Sequence, residues 1–188
     1  MLDAVRAAGP GRPSPVEATG GSASAVLAAI YEEAGEPVVV VTRRAQHLRS
    51  HRGEVSFPGG RSEAGESLVQ TALREANEEV DLDPSAVDVV GELDHLATVT
   101  SQSFIVPFVG GLSRPPVLRP SLDEVELIRH VPLRVLLEDG VFREELWDFG
   151  GAPRPITFFE IEDETIWGAT GSMLRNLLEL ATGLRRSG

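Results

Sequence analysis

The chain contains neither cysteine nor lysine, and each absence narrows what it can do. Without cysteine it has no disulfides, no thiolate nucleophile and no thiolate metal ligands, and redox chemistry does not indicate a compartment. All 17 basic residues are therefore arginine; they face 29 acidic residues, and the net charge is −12. A field of that sign disfavours loose binding to nucleic acid or to an anionic membrane, so we expect neither as a partner.

Long apolar runs are absent as well. No segment approaches the length that spans a bilayer, and the first residues, MLDAVRAAGPGRPSP, lack the charged start and apolar centre of a secretory signal. We therefore expect a cytoplasmic protein. With 188 residues, of which 41% are hydrophobic, the chain is predicted to form one domain over residues 22–188. A mobile segment rich in glycine, proline, alanine and serine is expected before it, at residues 1–21.

Periodic hydrophobicity predicts a sheet that carries helices. The predicted strands are 23–31, 37–42, 87–95, 104–109, 125–130 and 156–161, and a hairpin loop at residues 33–36 joins the first two. The predicted helices are 66–80, 132–138 and 171–182, and Trp167 is expected in the core. Because strands outnumber helices and separate the two longer helices, we expect a sheet covered on both faces.

One run of residues, GRSEAGESLVQTALREANEEVDL at 60–82, carries the clearest chemical signal. Glu75, Glu78 and Glu79 within it are spaced i, i+3 and i+4, so on a helix they share a face. Like charges at that spacing weaken a helix, which indicates that they bind a cation, and hard oxygen ligands favour Mg²⁺ or Mn²⁺. The alternative is a solvated acidic helix face.

This run resembles the Nudix box, the signature of hydrolases that cleave a diphosphate linked to another moiety. The positions that match the family pattern are Gly60, Glu66, Arg74, Glu75, Ala76, Glu78, Glu79 and Leu82. Asp81 departs from it, because the family usually has glycine where the chain leaves the helix in a left-handed turn. The resemblance implies an α/β (α+β) protein with the Nudix-type α/β/α sandwich around a mixed sheet.

The resemblance also implies which groups hold the metal. Glu78 and Glu79 are implied to be the surest ligands and Glu75 the next, and the carbonyl of Gly59 or Gly60 is expected to complete the coordination. In this hypothesis the ions lower the pKa of bound water and neutralise charge while water attacks one phosphorus of the diphosphate.

Two further catalytic assignments concern Arg74 and a general base. Arg74 is expected to pair with Glu78, four residues later, and with Glu66, which would then orient the arginine. Family members take the base either from the box helix or from a later loop. The candidates for the base are Glu79, Glu124 and Glu126.

A second motif lies directly before the box. It runs from VVTRRA at residues 40–45 through Arg49 and Gly53 to FPGG at residues 57–60. This closely resembles the extra motif of the coenzyme A diphosphatase subgroup of Nudix hydrolases. The resemblance implies cleavage of coenzyme A or its thioesters to 3′,5′-ADP and 4′-phosphopantetheine or its acyl form.

The second motif supplies the predicted substrate contacts, which are Arg43, Arg44, Arg49, Gly53, Phe57 and Gly59. Guanidinium groups bind phosphate oxygens in pairs and stack on bases, and coenzyme A carries a diphosphate and a 3′-phosphate. In the alternative interpretation Arg44 and Arg49 brace the loop by pairing with Glu54 or other carboxylates. Both interpretations stay open at this point.

Other functions of the same fold also stay open. The chain could be a Nudix hydrolase of ADP-ribose, NADH or another nucleoside diphosphate derivative, or a non-catalytic module that binds such a ligand. The intact set of glutamates favours an enzyme, because a protein that only binds could lose them. A small-molecule partner is expected in each case, and since homodimers are frequent among such domains, a homodimer is left open.

Overall fold

The structure is a computed structural model, and it describes residues 1–14, 23–48, 50–97, 104–149, 151 and 153–183. Of the predicted residues and segments, Arg49 and the stretch 15–21 lie outside the described residues. In these ranges, no helix combines the length and the apolar character that crossing a membrane requires.

The described part of the fold consists of helices and strands in alternating groups. The helices are α1 (Leu2–Ala8), α2 (Leu68–Val80) and α3 (Gly168–Thr182). The strands are β1 (Ala23–Glu33), β2 (Glu36–Arg44), β3 (Val55–Ser56), β4 (Gly59–Arg61), β5 (Val87–Glu92), β6 (Leu96–Ala97), β7 (Phe104–Leu112), β8 (Val125–Pro132), β9 (Phe142–Trp147), β10 (Arg154–Ile161) and β11 (Glu164–Trp167).

Strands β1 to β8 form one mixed sheet. β1 lies inside it, antiparallel to β2 and parallel to β7, while β5 pairs with β7 and β8 pairs with β2, both antiparallel. The short strands β3 and β4 add to β2 and β1, and β6 adds to β7. Because parallel strands need a long crossover, the connection from β1 to β7 has room for α2, which packs back on β1.

Alternation along β1 explains why both faces of this sheet are covered. Leu27 and Tyr31 point to one face, where they share a core with Ala76 of α2. Ala28 and Ile30 point to the other face and share a second core with α3. A strand that is buried on both sides reads as a continuous apolar run, which is how this segment appears in the sequence. The predicted α/β/α sandwich with a mixed sheet is confirmed.

The other three strands form a small antiparallel sheet in the order β11-β10-β9. Its inner face carries Phe159 and Ile166, which join the core beside α3. Its outer face carries an aromatic cluster in which Trp167 stacks on Phe158 at 6.1 Å between ring centroids. β11 also runs beside β3, so this small sheet approaches the end of the main sheet where β3 leads into β4.

Helix α2 has well-defined ends that fix where its side chains point. At its start the Ser67 side chain and Gln70 form a reciprocal capping box, which satisfies free backbone donors of the first turn. At its end Asp81 adopts the left-handed conformation with φ 58°, as expected for the position where the family has glycine. The backbone N–H of Leu82 then donates to Ala76 O at 3.3 Å and closes the turn.

Some sequence predictions are wrong, for identifiable reasons. No helix covers residues 132–138: β8 continues through Pro132 in register with Val38, and a single 3₁₀ turn follows at Val135–Leu137. Trp167 is not a core residue, because it is 37% exposed and caps the start of α3.

The first residues also differ from the expectation of a mobile segment at 1–21. Leu2–Ala8 form a helix whose Val5 is fully buried against β5 and α3. Further on, Arg12 Nε donates to Asp94 at 2.9 Å. A side chain at Gly11 would meet the carbonyl of Leu93, so the chain lies close against that loop. The start of the domain at residue 22 stays a prediction.

Candidate active site

The site forms where β4 runs between β1 and α2. Gly59 pairs with Val26 of β1, and a Cβ on Gly59 would lie 2.6 Å from Val26 Cα. A Cβ on Gly60 would lie 2.5 Å from the carboxyl carbon of Glu75. Only glycine allows both approaches, so these two residues bring the backbone of β4 against the acidic side of α2.

Arg74 is the centre of a charged network on α2. Its Nε donates to Glu66 at 2.7 Å, and its Nη1 donates to Glu75 at 3.0 Å and to Glu78 at 2.9 Å. Its Nη2 also donates to the carbonyl of Arg61 at 3.1 Å. The Arg74 hydrogen bond holds the pKa of Glu66 well down, at about 2. Arg74 therefore has both predicted partners, Glu66 and Glu78, and Glu75 as a third.

Glu79 is the most deeply placed carboxylate of the site, with 4% of its surface exposed. Burial raises its pKa to about 8, and the nearby charges of Glu124 and Glu75 push in the same direction. Two groups oppose this rise: the Gly59 N–H donates to Glu79 Oε2 at 3.3 Å, and Arg44 Nη1 lies 3.8 Å from Oε1. Arg44 from the second motif thus reaches the box helix.

Glu124 belongs to the same site although it comes from the turn before β8. The turn lies against α2, because the Ser121 N–H donates to the Glu79 carbonyl at 2.9 Å. The negative charge of Glu124 adds to burial in raising the pKa of Glu75 and Glu79. The main cause of the raised pKa of Glu75 is burial, and Arg74 opposes it. The Ala45 N–H donates to the Glu124 carbonyl at 2.9 Å, which fixes this turn beside the end of β2.

A divalent ion fits this donor set. In the part of the chain that the structure describes, no three carboxylate or imidazole side chains already converge as a set of metal ligands. Arg74 instead holds Glu75 and Glu78, and Arg44 faces Glu79. The site nevertheless brings together partly buried carboxylates that raise one another's pKa. Hard oxygen donors of this kind suit a divalent ion. Binding would require Glu75 and Glu78 to exchange contacts with Arg74 for contacts with the ion.

Arg43, in contrast, does not join this group. Consecutive residues of a strand point to opposite faces, and Arg43 faces the small sheet while Arg44 faces α2. Arg43 Nη1 donates to Glu164 of β11 at 2.8 Å, and Nη2 donates to Glu126 at 3.3 Å. Arg129 of β8 shares the same buried Glu164 at 3.4 Å. Arg43 is thus held in an ion pair between the two sheets, and its contact with substrate stays a prediction.

Phe57 and Gly53 of the second motif, which were also predicted to contact substrate, lie in the core and in a turn. Phe57 is 1% exposed and lies in the core, so its side chain anchors the loop and is not open to a substrate. Gly53 has φ 66° in a turn, its N–H donates to the Arg44 carbonyl at 3.1 Å, and a Cβ there would meet Gln46. The Glu54 side chain pairs with His51, and the Glu54 carbonyl accepts a hydrogen bond from the Arg44 N–H at 3.0 Å. Arg49 lies outside the described residues.

Sequence reasoning did not identify Glu164 as a partner of Arg43. Glu164 lies 121 residues from Arg43, so no local spacing connects the two. The one available signal was an acidic residue that opens the short apolar strand ETIW.

Comparisons with known proteins agree with the fold and the motif. The family model described as "NUDIX domain" matches residues 21–146. The chain is 31% identical to Nudix hydrolase 3 of Caenorhabditis elegans over 175 residues, which cover 85% of this chain and 73% of that protein. It is 38% identical to the uncharacterized Nudix hydrolase NudL of Salmonella paratyphi B over 146 residues, covering 76% of this chain and 74% of the relative. Among solved structures it is similar in fold to the Nudix hydrolase RenU of M. smegmatis, with a TM-score of 0.61, 14% identity and 89% of each chain covered.

Proposed function

The chain belongs to the Nudix family and is a pyrophosphohydrolase, and on this premise we propose that its substrate is coenzyme A or an acyl-coenzyme A. The products are 3′,5′-ADP and 4′-phosphopantetheine or its acyl form. The second motif, at residues 40–60, supports this substrate over other nucleoside diphosphate derivatives, because it resembles the extra motif of the coenzyme A diphosphatase subgroup.

One contact carries the proposal. Arg44 of the second motif lies 3.8 Å from Glu79 of the box, so the two motifs meet at one site. The Arg44 side chain is partly exposed, and its buried Nε has no hydrogen-bond partner. A guanidinium group with spare donors beside the metal carboxylates suits a substrate that is rich in phosphate.

Nudix hydrolases generally need divalent metal ions, and we assign Mg²⁺ or Mn²⁺ to this site. Glu75, Glu78, Glu79 and the Gly59 carbonyl would hold the ion. When bound, it supplies charge neutralisation at the phosphate oxygens and lowers the pKa of water. The residues of the chain have separate tasks: Arg74 orients Glu75 and Glu78, and Arg44 binds a phosphate oxygen of the substrate.

The reaction is a hydrolysis in which water is the only co-substrate. A water oxygen forms a bond to one phosphorus, the bond from that phosphorus to the bridging oxygen breaks, and the bridging oxygen leaves with the other phosphate. We assign the uptake of the water proton to Glu124, because the turn that carries it lies against α2, where the Ser121 N–H donates to the Glu79 carbonyl at 2.9 Å. Glu126 is a weaker choice since it pairs with Arg43 on the other side of β2. Glu79 remains the alternative base.

Separation of reaction products by chromatography tests the substrate. The protein is incubated with coenzyme A, acetyl-coenzyme A, ADP-ribose or NADH, each with Mg²⁺ or Mn²⁺, and the Glu79→Gln variant serves as the inactive control. We expect 3′,5′-ADP from coenzyme A or its thioester at a kcat/KM at least about 10-fold above that for ADP-ribose or NADH. Faster cleavage of ADP-ribose or NADH would overturn coenzyme A as the substrate, but the protein would still be a pyrophosphohydrolase.

A further inference from the structure

Strand β9 forms an unpaired edge of the small sheet. All six of its residues are exposed, and in the described ranges no strand pairs with its outer side. Its side chains include large apolar groups, with Leu146 72% exposed and Phe142 41% exposed. Free edges of this kind recruit a further strand unless they are covered or blocked.

The backbone of β9 is oriented so that alternate residues can accept such a strand. The Glu160 N–H donates to the Val141 carbonyl at 2.8 Å, so residue 141 and the odd-numbered residues after it bond to β10. Pro155, which has no N–H, pairs with Leu146, where no donor is needed. The N–H and C=O groups of Phe142, Glu144 and Leu146 therefore point to the free edge.

The sequence of β9 is complementary to itself in one antiparallel register. When two copies pair about a two-fold axis at Glu144, Phe142 lies opposite Leu146 and Arg143 lies opposite Glu145, each twice. The same register aligns the outward backbone groups of Phe142, Glu144 and Leu146 with one another. Shifting the axis by one residue loses both apolar pairs, because Phe142 or Leu146 then lies opposite Glu144.

The residue on the axis is Glu144, which would meet its own copy. Its carboxylate is bound by Arg175 of α3 in the same chain, so each copy brings its own counter-charge. The remaining pairs across the axis are two apolar pairs and two pairs of opposite charge, which favour this register and orientation.

We propose that two copies of this chain associate through β9 and join their small sheets into one continuous six-stranded sheet. The partner is a second copy because the strand matches itself in apolar pairs, charge pairs and backbone direction together. One edge buries less than a standard interface, so the association is expected to be weak and dependent on concentration. The inference is independent of the substrate.

Sedimentation velocity on four samples tests this interface: the unchanged protein, Arg143→Glu, Glu145→Arg, and an equimolar mixture of the two variants. Loading concentrations run from about 5 to about 200 µM, because dimer formation follows mass action. Each variant alone puts like charges opposite each other, and we expect at least about 10-fold weaker dimerisation.

The mixture restores opposite charges at both positions. The new acid at position 143 of one variant faces the new base at position 145 of the other. The unchanged Glu145 of the first variant then faces the unchanged Arg143 of the second. We therefore expect dimers to return in the mixture, and this recovery also shows that neither variant is misfolded.

Arg134→Glu is the matched control. It reverses the same charge at an exposed arginine whose partners are Glu36 and Glu138, away from β9, and it should dimerise like the unchanged protein. An unchanged protein that stays monomeric over the whole range overturns the proposal. So do variants that dimerise normally, which would mean that another surface joins the copies, and a mixture that stays monomeric.

Discussion

Arg43 and Arg44 are neighbours in the chain, yet they have different tasks because they point to opposite faces of β2. Arg44 lies beside Glu79, and Arg43 bonds the buried Glu164. We predict that Arg44→Ala raises KM for coenzyme A by about 10-fold or more, since a charge-assisted hydrogen bond to phosphate is lost. Steady-state kinetics at saturating Mg²⁺ measures this change.

Arg43→Ala is the control in the same segment. It should leave KM close to the unchanged value and lower the free energy of unfolding, because it leaves the buried Glu164 with Arg129 as its remaining ion-pair partner. Equal effects of the two variants on KM would contradict the division between the faces of β2.

The proposed metal ligands Glu78 and Glu79 allow a second prediction at the residue scale. Glu79→Gln and Glu78→Gln each keep the size of the side chain but remove a ligand charge, so kcat should fall at least about 100-fold. The Glu79 variant should also lose Mn²⁺ binding, as measured by calorimetry, while its circular dichroism stays unchanged. Near-normal turnover by both variants would show that the assignment of metal ligands is wrong.

The parts of the site that could be predicted from sequence are those held by local spacing. The partners of Arg74 follow from its distance to Glu66 and Glu78 along the chain and are present in the structure. The distribution of Arg43 and Arg44 between two faces, and the pairing of Arg43 with Glu164, depend on how two sheets pack. That packing leaves no local pattern in the sequence.

At the level of elements, the end of α2 offers a direct test of backbone strain. Asp81 holds φ 58° and ψ 32°, a conformation that glycine adopts without a steric penalty. We predict that Asp81→Gly raises the free energy of unfolding by about 0.5 to 1 kcal/mol. Asp81→Val should lower it, because a β-branched side chain is poorly tolerated there. Urea denaturation of the three proteins gives both values, and a destabilised glycine variant would contradict the argument.

Helix α1 supports a prediction about the start of the chain. Val5 is fully buried against β5 and α3, so Val5→Ala should lower the free energy of unfolding by about 2 kcal/mol. Asp3→Ala on the exposed side of the helix should change it by less than about 0.5 kcal/mol. Thermal and urea unfolding of both variants provide the comparison. Equal stability of the two would support the mobile segment that the sequence suggested.

The elements found by sequence reasoning share a strong period or a continuous apolar run. β1, β2 and α2 have such patterns, and only their ends moved: α2, for example, begins at Leu68 and not at residue 66, because Ser67 caps it. β9 is exposed along its whole length and so shows no alternation between buried and exposed residues. α1 has no side-chain cap, and its short apolar stripe is buried only because β5 and α3 are there.

For the molecule as a whole, buried carboxylates lie at two places among the described residues. One is the pair of arginines around Glu164, where the two sheets meet. The other is the acidic site, where Glu79 has no ion-pair partner closer than the 3.8 Å to Arg44 among the described residues. A buried carboxylate without a partner is costly to ionise. Binding of metal or substrate at the acidic site should therefore raise the free energy of unfolding.

The raised pKa of Glu79 predicts how stability depends on pH. In the unfolded chain Glu79 has an ordinary pKa, and in the folded chain its pKa is about 8. Between these values the folded state binds more protons, so the free energy of unfolding of the metal-free protein should fall as the pH rises from about 5 to about 8. Burial is the main cause of the raised pKa; the Gly59 N–H and Arg44 lower it, and Glu124 and Glu75 raise it further.

Glu79→Gln removes this titration, so subtracting its pH profile from that of the unchanged protein isolates the effect of Glu79 from all other groups. Urea denaturation in EDTA at pH values from about 5 to about 9 gives both profiles. The free energy of unfolding of the variant minus that of the unchanged protein should increase as the pH rises. Adding Mn²⁺ should reverse the slope for the unchanged protein, because the ion binds the deprotonated carboxylate. A difference profile that is flat in EDTA would mean that the pKa of Glu79 is ordinary in the folded protein, so that its carboxylate is ionised there without metal.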